Sequence, residues 1–174
     1  MTELIMWIDA ETSGLDPDVH DLLEVASILT DMNGNVLSTR PFHALVKPHS
    51  LSQVLSNAED SAHAMHHQSG LWIDLWNAES VNLNSIEDEF VVWLNDHVES
   101  DDVIYFGGNS ITLDRRFVNI NMPRIYERLS HRSVDVTSIA LFMKADPSSR
   151  RRRHRALCDV LDSIEEYRIL RQSL

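Results

Sequence analysis

Ile5-Met6-Trp7-Ile8-Asp9-Ala10-Glu11-Thr12-Ser13-Gly14-Leu15 is an apolar run that turns acidic and then breaks at a glycine. Leu4 to Asp9 reads as a buried strand leading into a turn. Acids are poor occupants of a core strand, because burying an unpaired carboxylate is costly. Residues two apart on a strand point to the same side, so Asp9 and Glu11 converge on one place. Clustered carboxylates repel unless a cation joins them. The pattern predicts a divalent-metal site at the end of a strand.

Further along the chain, Leu22 to Thr30 reads as a second strand, and Asn33-Gly34 is a strong hairpin signal. Val36 to Val46 is expected to return as a third strand beside it, ended by Pro48. Ile86, Phe90, Trp93, Leu94, His97 and Val98 recur at helical spacing. Asp101-Asp102 breaks that pattern. Val103 to Phe106 then reads as a short strand, followed by a turn at Gly107-Gly108-Asn109-Ser110. A helix is predicted from Thr112 to Asn121, stopped by Pro123. Val134 falls in a short strand and Val136 to Lys144 in a helix. Ala145 to Arg153, with Pro147 and four arginines, reads as a loop. The last helix is expected to bury Leu157, Leu161, Ile164 and Leu170. Three strands, then helices alternating with short strands, predict an α/β domain: a mixed central sheet flanked by helices. The first three strands should be antiparallel neighbours, and the later ones should join through helices.

The 174 residues fit one domain spanning 1–174. No apolar run approaches the roughly 20 residues needed to span a bilayer, and the start of the chain lacks the pattern of a signal peptide. The single cysteine, Cys158, allows no internal disulfide, so a cytoplasmic setting is expected. A net charge of −12 argues against general binding to duplex nucleic acid, but not against a short strand held in a small pocket. The positive charge is concentrated at Arg150, Arg151, Arg152, Arg153 and Arg155, around His154. Such a block is either a solvated loop or a phosphate contact.

Three more residues belong with the acidic pair. Asp114 falls in the first turn of a predicted helix, where the dipole tolerates negative charge. His154 and Asp159 are five apart, about 500 degrees on an ideal helix, so they do not share a face. His154 is therefore expected in the loop or at the helix start, with Asp159 inside the helix. A histidine entering a metal site suits a general base. Each signal alone is weak; their order, spacing and context together are specific.

These segments resemble the DEDDh 3′→5′ exonucleases, and within them the oligoribonuclease branch. Trp7 to Pro17 resembles the first motif of that family. Gly108-Asn109-Ser110-Ile111 with Asp114-Arg115-Arg116-Phe117 resembles the second, and His154-x-Ala-x-x-Asp159 completes the set. His66 with Ser69-Gly70-Leu71, and Arg132 with Asp135-Val136-Thr137-Ser138, resemble segments of the oligoribonuclease branch. The resemblance implies a ribonuclease H-like fold. It implies hydrolysis of short oligoribonucleotides, dinucleotides favoured, to 5′-mononucleotides by a two-metal-ion mechanism with Mg²⁺ or Mn²⁺. Asp9, Glu11, Asp114 and Asp159 would be the metal ligands, with Asp9 shared between both ions, and His154 the general base. Leu15 would wedge between the two terminal bases and His66 would lie near the substrate. Ser110, Arg132, Thr137 and Ser138 would hold the 5′-phosphate, the last three from the partner subunit of a homodimer. Three positions depart from the family pattern: Ser61 stands where it has tryptophan, His131 where tyrosine is usual, and Leu113 where glutamine is common. Two alternatives remain: an exonuclease acting on longer RNA or single-stranded DNA, and a non-catalytic nucleotide-binding scaffold.

Overall fold

The first strand, β1 (Glu3–Thr12), occupies the middle of a five-stranded mixed sheet. The computed structural model describes residues 1–145 and 153–173. Most of the expected loop, including Arg150, Arg151 and Arg152, lies outside them. β1 pairs antiparallel with β2 (Leu22–Asp31), which pairs antiparallel with the short β3 (Phe42–Leu45). On its other side β1 pairs in parallel with β4 (Val103–Gly108), and β4 pairs in parallel with β5 (Leu129–Asp135). The sheet order is β3-β2-β1-β4-β5.

Eight helices complete the described residues: α1 (Leu51–Asn57), α2 (Asp60–Ser69), α3 (Leu71–Asn77), α4 (Leu83–Asn95), α5 (Thr112–Asn121), α6 (Pro123–Tyr126), α7 (Val136–Phe142) and α8 (Ala156–Gln172). The pleat of β1 sorts them into layers. Leu4, Met6 and Ile8 pack on one face with Phe90 and Trp93 of α4, Phe117 of α5 and Ile125 of α6. Ile5 and Trp7 pack on the other with Val136 and Ala140 of α7 and Val160, Ile164 and Tyr167 of α8. A third cluster joins Leu23 of β2 to Leu51, Val54, Leu71, Trp72 and Leu75 of α1 and α3. Asp9 and Glu11 extend the row of Ile5 and Trp7, toward α8.

Several expectations change. β1 runs on through Thr12, so Glu11 as well as Asp9 lies within the strand. The third strand is shorter than Val36 to Val46. Val36 makes one isolated bridge to Thr30, and regular pairing resumes at Phe42. Pro41 cannot donate to a ladder. The intervening segment binds α4 and the residues after it instead: Arg40 O accepts from Trp93 Nε1 (2.9 Å), and Thr39 N–H donates to His97 Nε2 (3.1 Å). α5 keeps the expected bounds, but Pro123 also opens α6 at a first-turn position, where its missing N–H costs nothing. In α8 the stripe is corrected: Leu161 is half exposed, and Val160, Ser163 and Tyr167 are buried with Ile164 and Leu170.

Candidate active site

The sheet topology brings the singled-out residues together. β1, β4 and β5 run in parallel, so their carboxyl ends share one edge of the sheet, the usual place for a site in α/β folds. Asp9 and Glu11 leave β1 at that end. The turn after β4 carries Asn109 and then Ser110, whose φ of 54° is left-handed. That turn aims α5 so that Asp114, in its first turn, reaches back to β1, where its Oδ1 accepts from Ala10 N–H (3.0 Å). α8 crosses the same edge and presents Asp159 from its own first turn. His154 stands just before α8 with a φ of 52°, outside the helix, while Asp159 lies inside it.

All five line one cavity of about 450 Å³. Ligand atoms of Glu11, His154 and Asp159 lie within 4.8 Å of one another. The electrostatics are unfavourable as they stand. Burial pushes the Asp9 carboxyl well above the usual carboxylate range, and the charges of Asp114, Glu11, Asp159 and Glu24 add to it. Burial and the charges of Asp159, Glu24 and Asp114 push Glu11 up to about 8, although Arg155 pulls the other way. Burial also raises Asp159, opposed by the Arg153 N–H that donates to its Oδ1 (3.1 Å). Such carboxylates cannot all ionise at neutral pH without added positive charge. No lysine or arginine among the described residues lines the cavity. The donor set is oxygen-rich, with one imidazole, and so fits hard divalent cations.

The predicted substrate residues divide. Leu15 is 62% exposed and lines the cavity, as do Ser61, Ala62 and Met65 of α2. Its backbone N–H donates to Glu59 Oε1 (3.1 Å), which ties the turn after β1 to the start of α2. His66 lies behind the cavity wall and is fully buried. Its Nε2 donates to Thr12 O (2.8 Å), its Nδ1 lies 3.8 Å from Glu11 Oε2, and its ring packs T-shaped with that of Trp72. Burial lowers its pKa. Ser110 lines the cavity, and its hydroxyl lies 3.0 Å from that of Thr137. Asp135 organises this group: its Oδ1 accepts from Ser110 N and Thr137 N (3.0 Å each), and its Oδ2 from the Ser138 hydroxyl (3.0 Å). Arg132 is exposed on edge strand β5 beside Tyr105, not on the cavity wall.

Residues not singled out from the sequence also take part. Asn109, Ser163, Glu59, Met65 and Asp162 line the cavity. Asn109 Nδ2 donates to Ser163 Oγ (2.8 Å), linking the β4 turn to α8. Glu24, buried in β2 opposite Glu11, carries a signal that was visible: an acid inside an apolar strand, as at Asp9.

A family model described as Exonuclease (RNase T) matches residues 6–167. The oligoribonuclease of Shewanella loihica is 32% identical over 176 residues, covering 98% of this chain and 94% of the relative. The oligoribonuclease of Mycobacterium bovis is 33% identical over 182 residues, covering 99% and 82%. This chain belongs to the oligoribonuclease family of DEDDh exonucleases. It is a nuclease, a hydrolase of phosphodiester bonds, with the ribonuclease H-like fold. Among solved structures, the zinc-bound Escherichia coli exonuclease I–ssDNA complex superposes with a TM-score of 0.70 at 16% identity, covering 99% of this chain and 41% of that one. At that identity the likeness bears on fold alone, and this family member spans about two-fifths of the exonuclease I chain.

Proposed function

We propose that this member of the oligoribonuclease family removes 5′-mononucleotides from the 3′ end of very short RNA, with dinucleotides favoured, using two Mg²⁺ or Mn²⁺ ions. One observation carries the proposal: residues 9, 11, 114, 154 and 159 meet around a single cavity in which the Asp9, Glu11 and Asp159 carboxyls are held above their ordinary pKa values. Bound divalent cations would supply charge stabilisation at the phosphate and an activated water. Asp9, Glu11, Asp114 and Asp159 would hold them. His154 takes the proton of the attacking water. The new O–P bond forms as the bond to the 3′ oxygen of the preceding nucleotide breaks, and that oxygen is protonated.

Leu15 packs against the terminal bases. The α2 residues that line the same cavity are Ser61, Ala62 and Met65, so base contact with α2 is non-aromatic. Ser110, Thr137 and Ser138, gathered by Asp135 within one subunit, would hold the 5′-phosphate together; this departs from the resemblance, which implies that Thr137 and Ser138 come from the partner subunit. Arg132 serves the cavity of a partner subunit in a homodimer, which agrees with its place on the exposed sheet edge. In this assignment His66 supports Glu11 from behind rather than touching substrate. The chain acts as one exonuclease domain in the cytoplasm; among the described residues no helix is long and apolar enough to cross a membrane. The test is a side-by-side assay of a 5′-phosphorylated dinucleotide, a longer RNA and single-stranded DNA. The dinucleotide should be hydrolysed fastest. Equal rates on all three would replace the proposal with a general 3′→5′ exonuclease.

A further inference from the structure

Glu24 is buried in β2, directly across the antiparallel ladder from Glu11, yet it does not line the cavity. Its carboxylate is occupied from the other side. Arg155 donates from Nε (3.2 Å to Oε2) and from Nη2 (3.0 Å to Oε1). The Ala156 N–H donates to Oε2 (3.0 Å), and His43 Nε2 lies 2.7 Å from Oε1. Burial pushes this carboxyl up, but the hydrogen bonds from His43, Arg155 and Ala156 outweigh it and bring it down to about 2. The free arm of Arg155, Nη1, meets Asp74 Oδ2 of α3 at 2.7 Å.

These contacts converge on the residue after His154. Arg155 is the N-cap of α8, in extended backbone, and has no side-chain cap of its own. Glu24 takes the place of that cap by accepting the first helical N–H. Arg155 itself is clamped between β2 and α3. His154, in its left-handed conformation, is therefore the first residue outside a fixed point. An arginine reserved for substrate phosphate would face the cavity; Arg155 does not line it.

We propose that Glu24 is a positioning residue that acts through Arg155 to present His154 to the cavity. The proposal rests on the exonuclease function above, with His154 as its base. Strict geometry is what a proton-transferring group needs, and a small displacement is expensive in rate.

The test measures kcat and KM on a 5′-phosphorylated dinucleotide with Mn²⁺, and the rise in melting temperature on adding Mn²⁺, for Glu24→Gln, Arg155→Met and the double variant. Each single variant should lose about 10- to 100-fold in kcat, with KM within about twofold of wild type and a metal-induced rise retained. Acting as one unit, the two changes together should stay within about threefold of the worse single variant. Arg155→Lys, which keeps Glu24 paired but cannot fork to Asp74, should show an intermediate kcat, and it carries the test if the other variants do not fold. Wild-type kcat, multiplicative losses in the double variant, or loss of the metal response would each overturn the proposal. A wild-type protein that leaves the dinucleotide intact would instead strike the exonuclease function.

Discussion

Removing metal from this protein should make its stability fall as pH rises, and the cavity acids set the size of the effect. Glu11 holds its proton in the folded state up to about pH 8, against an ordinary value of 4.5. Its folded-state pKa is raised, so the stability it contributes is fully present below 4.5 and is lost as pH climbs toward 8. Asp9 and Asp159 are raised and act in the same direction. Two groups require a choice of window. His66 is lowered from 6.5 and works in the opposite sense below that value. Glu24, lowered to about 2, contributes a level amount above 4.5. From about pH 6.5 to pH 8, Glu11 alone should therefore cost about 2 kcal/mol, at roughly 1.36 kcal/mol per pH unit. Urea unfolding in chelator at both ends of the window measures this directly, with an unchanged m-value as the control for two-state behaviour. Saturating Mg²⁺ at the alkaline end should restore the loss, since it binds the folded form. Glu11→Gln should flatten the slope in chelator. A metal-free stability that does not fall across this window, or an equal fall in Glu11→Gln, would refute the electrostatic account of the cavity.

Other outcomes follow from particular contacts. Asp159→Asn should reduce dinucleotide hydrolysis by orders of magnitude while leaving the metal-free melting temperature equal or higher, because one member of a repelling set is neutralised; a large drop in melting temperature would contradict this. Leu15→Ala should raise KM several-fold with a stability change below about 0.5 kcal/mol, since the side chain is 62% exposed; the check is steady-state kinetics beside thermal unfolding. Gly107→Ala should destabilise by about 1–3 kcal/mol, as overpacking does. Its new Cβ would clash with Ile5 Cγ2, and chemical denaturation reads the cost.

The acidic cluster lining the cavity was legible because its signals are local. Asp9 and Glu11 interrupt an apolar strand, Asp114 opens a helix, and His154 and Asp159 flank a helix start. α1 to α3 carried little signal: they are short, and α2 buries only Ala62 and His66. Leu161 misled because α8 also buries a serine and a tyrosine, which a search for aliphatic spacing passes over. Arg155 shows a harder limit. Its place in an arginine block suggests substrate contact, yet its partners, Glu24 and Asp74, lie 131 and 81 positions away in sequence. Only the fold brings them within reach. His66 was expected near the substrate, but the fold buries it behind the cavity wall, where Trp72 and Thr12 close around it.

Product analysis of a labelled 5′-phosphorylated dinucleotide, with Mn²⁺ and with chelator, tests the central claim most directly. The account predicts complete conversion to 5′-mononucleotides with metal, none with chelator, and a loss of several orders of magnitude in Asp9→Asn. Cleavage that continues in chelator, or that proceeds at the wild-type rate in Asp9→Asn, would contradict it.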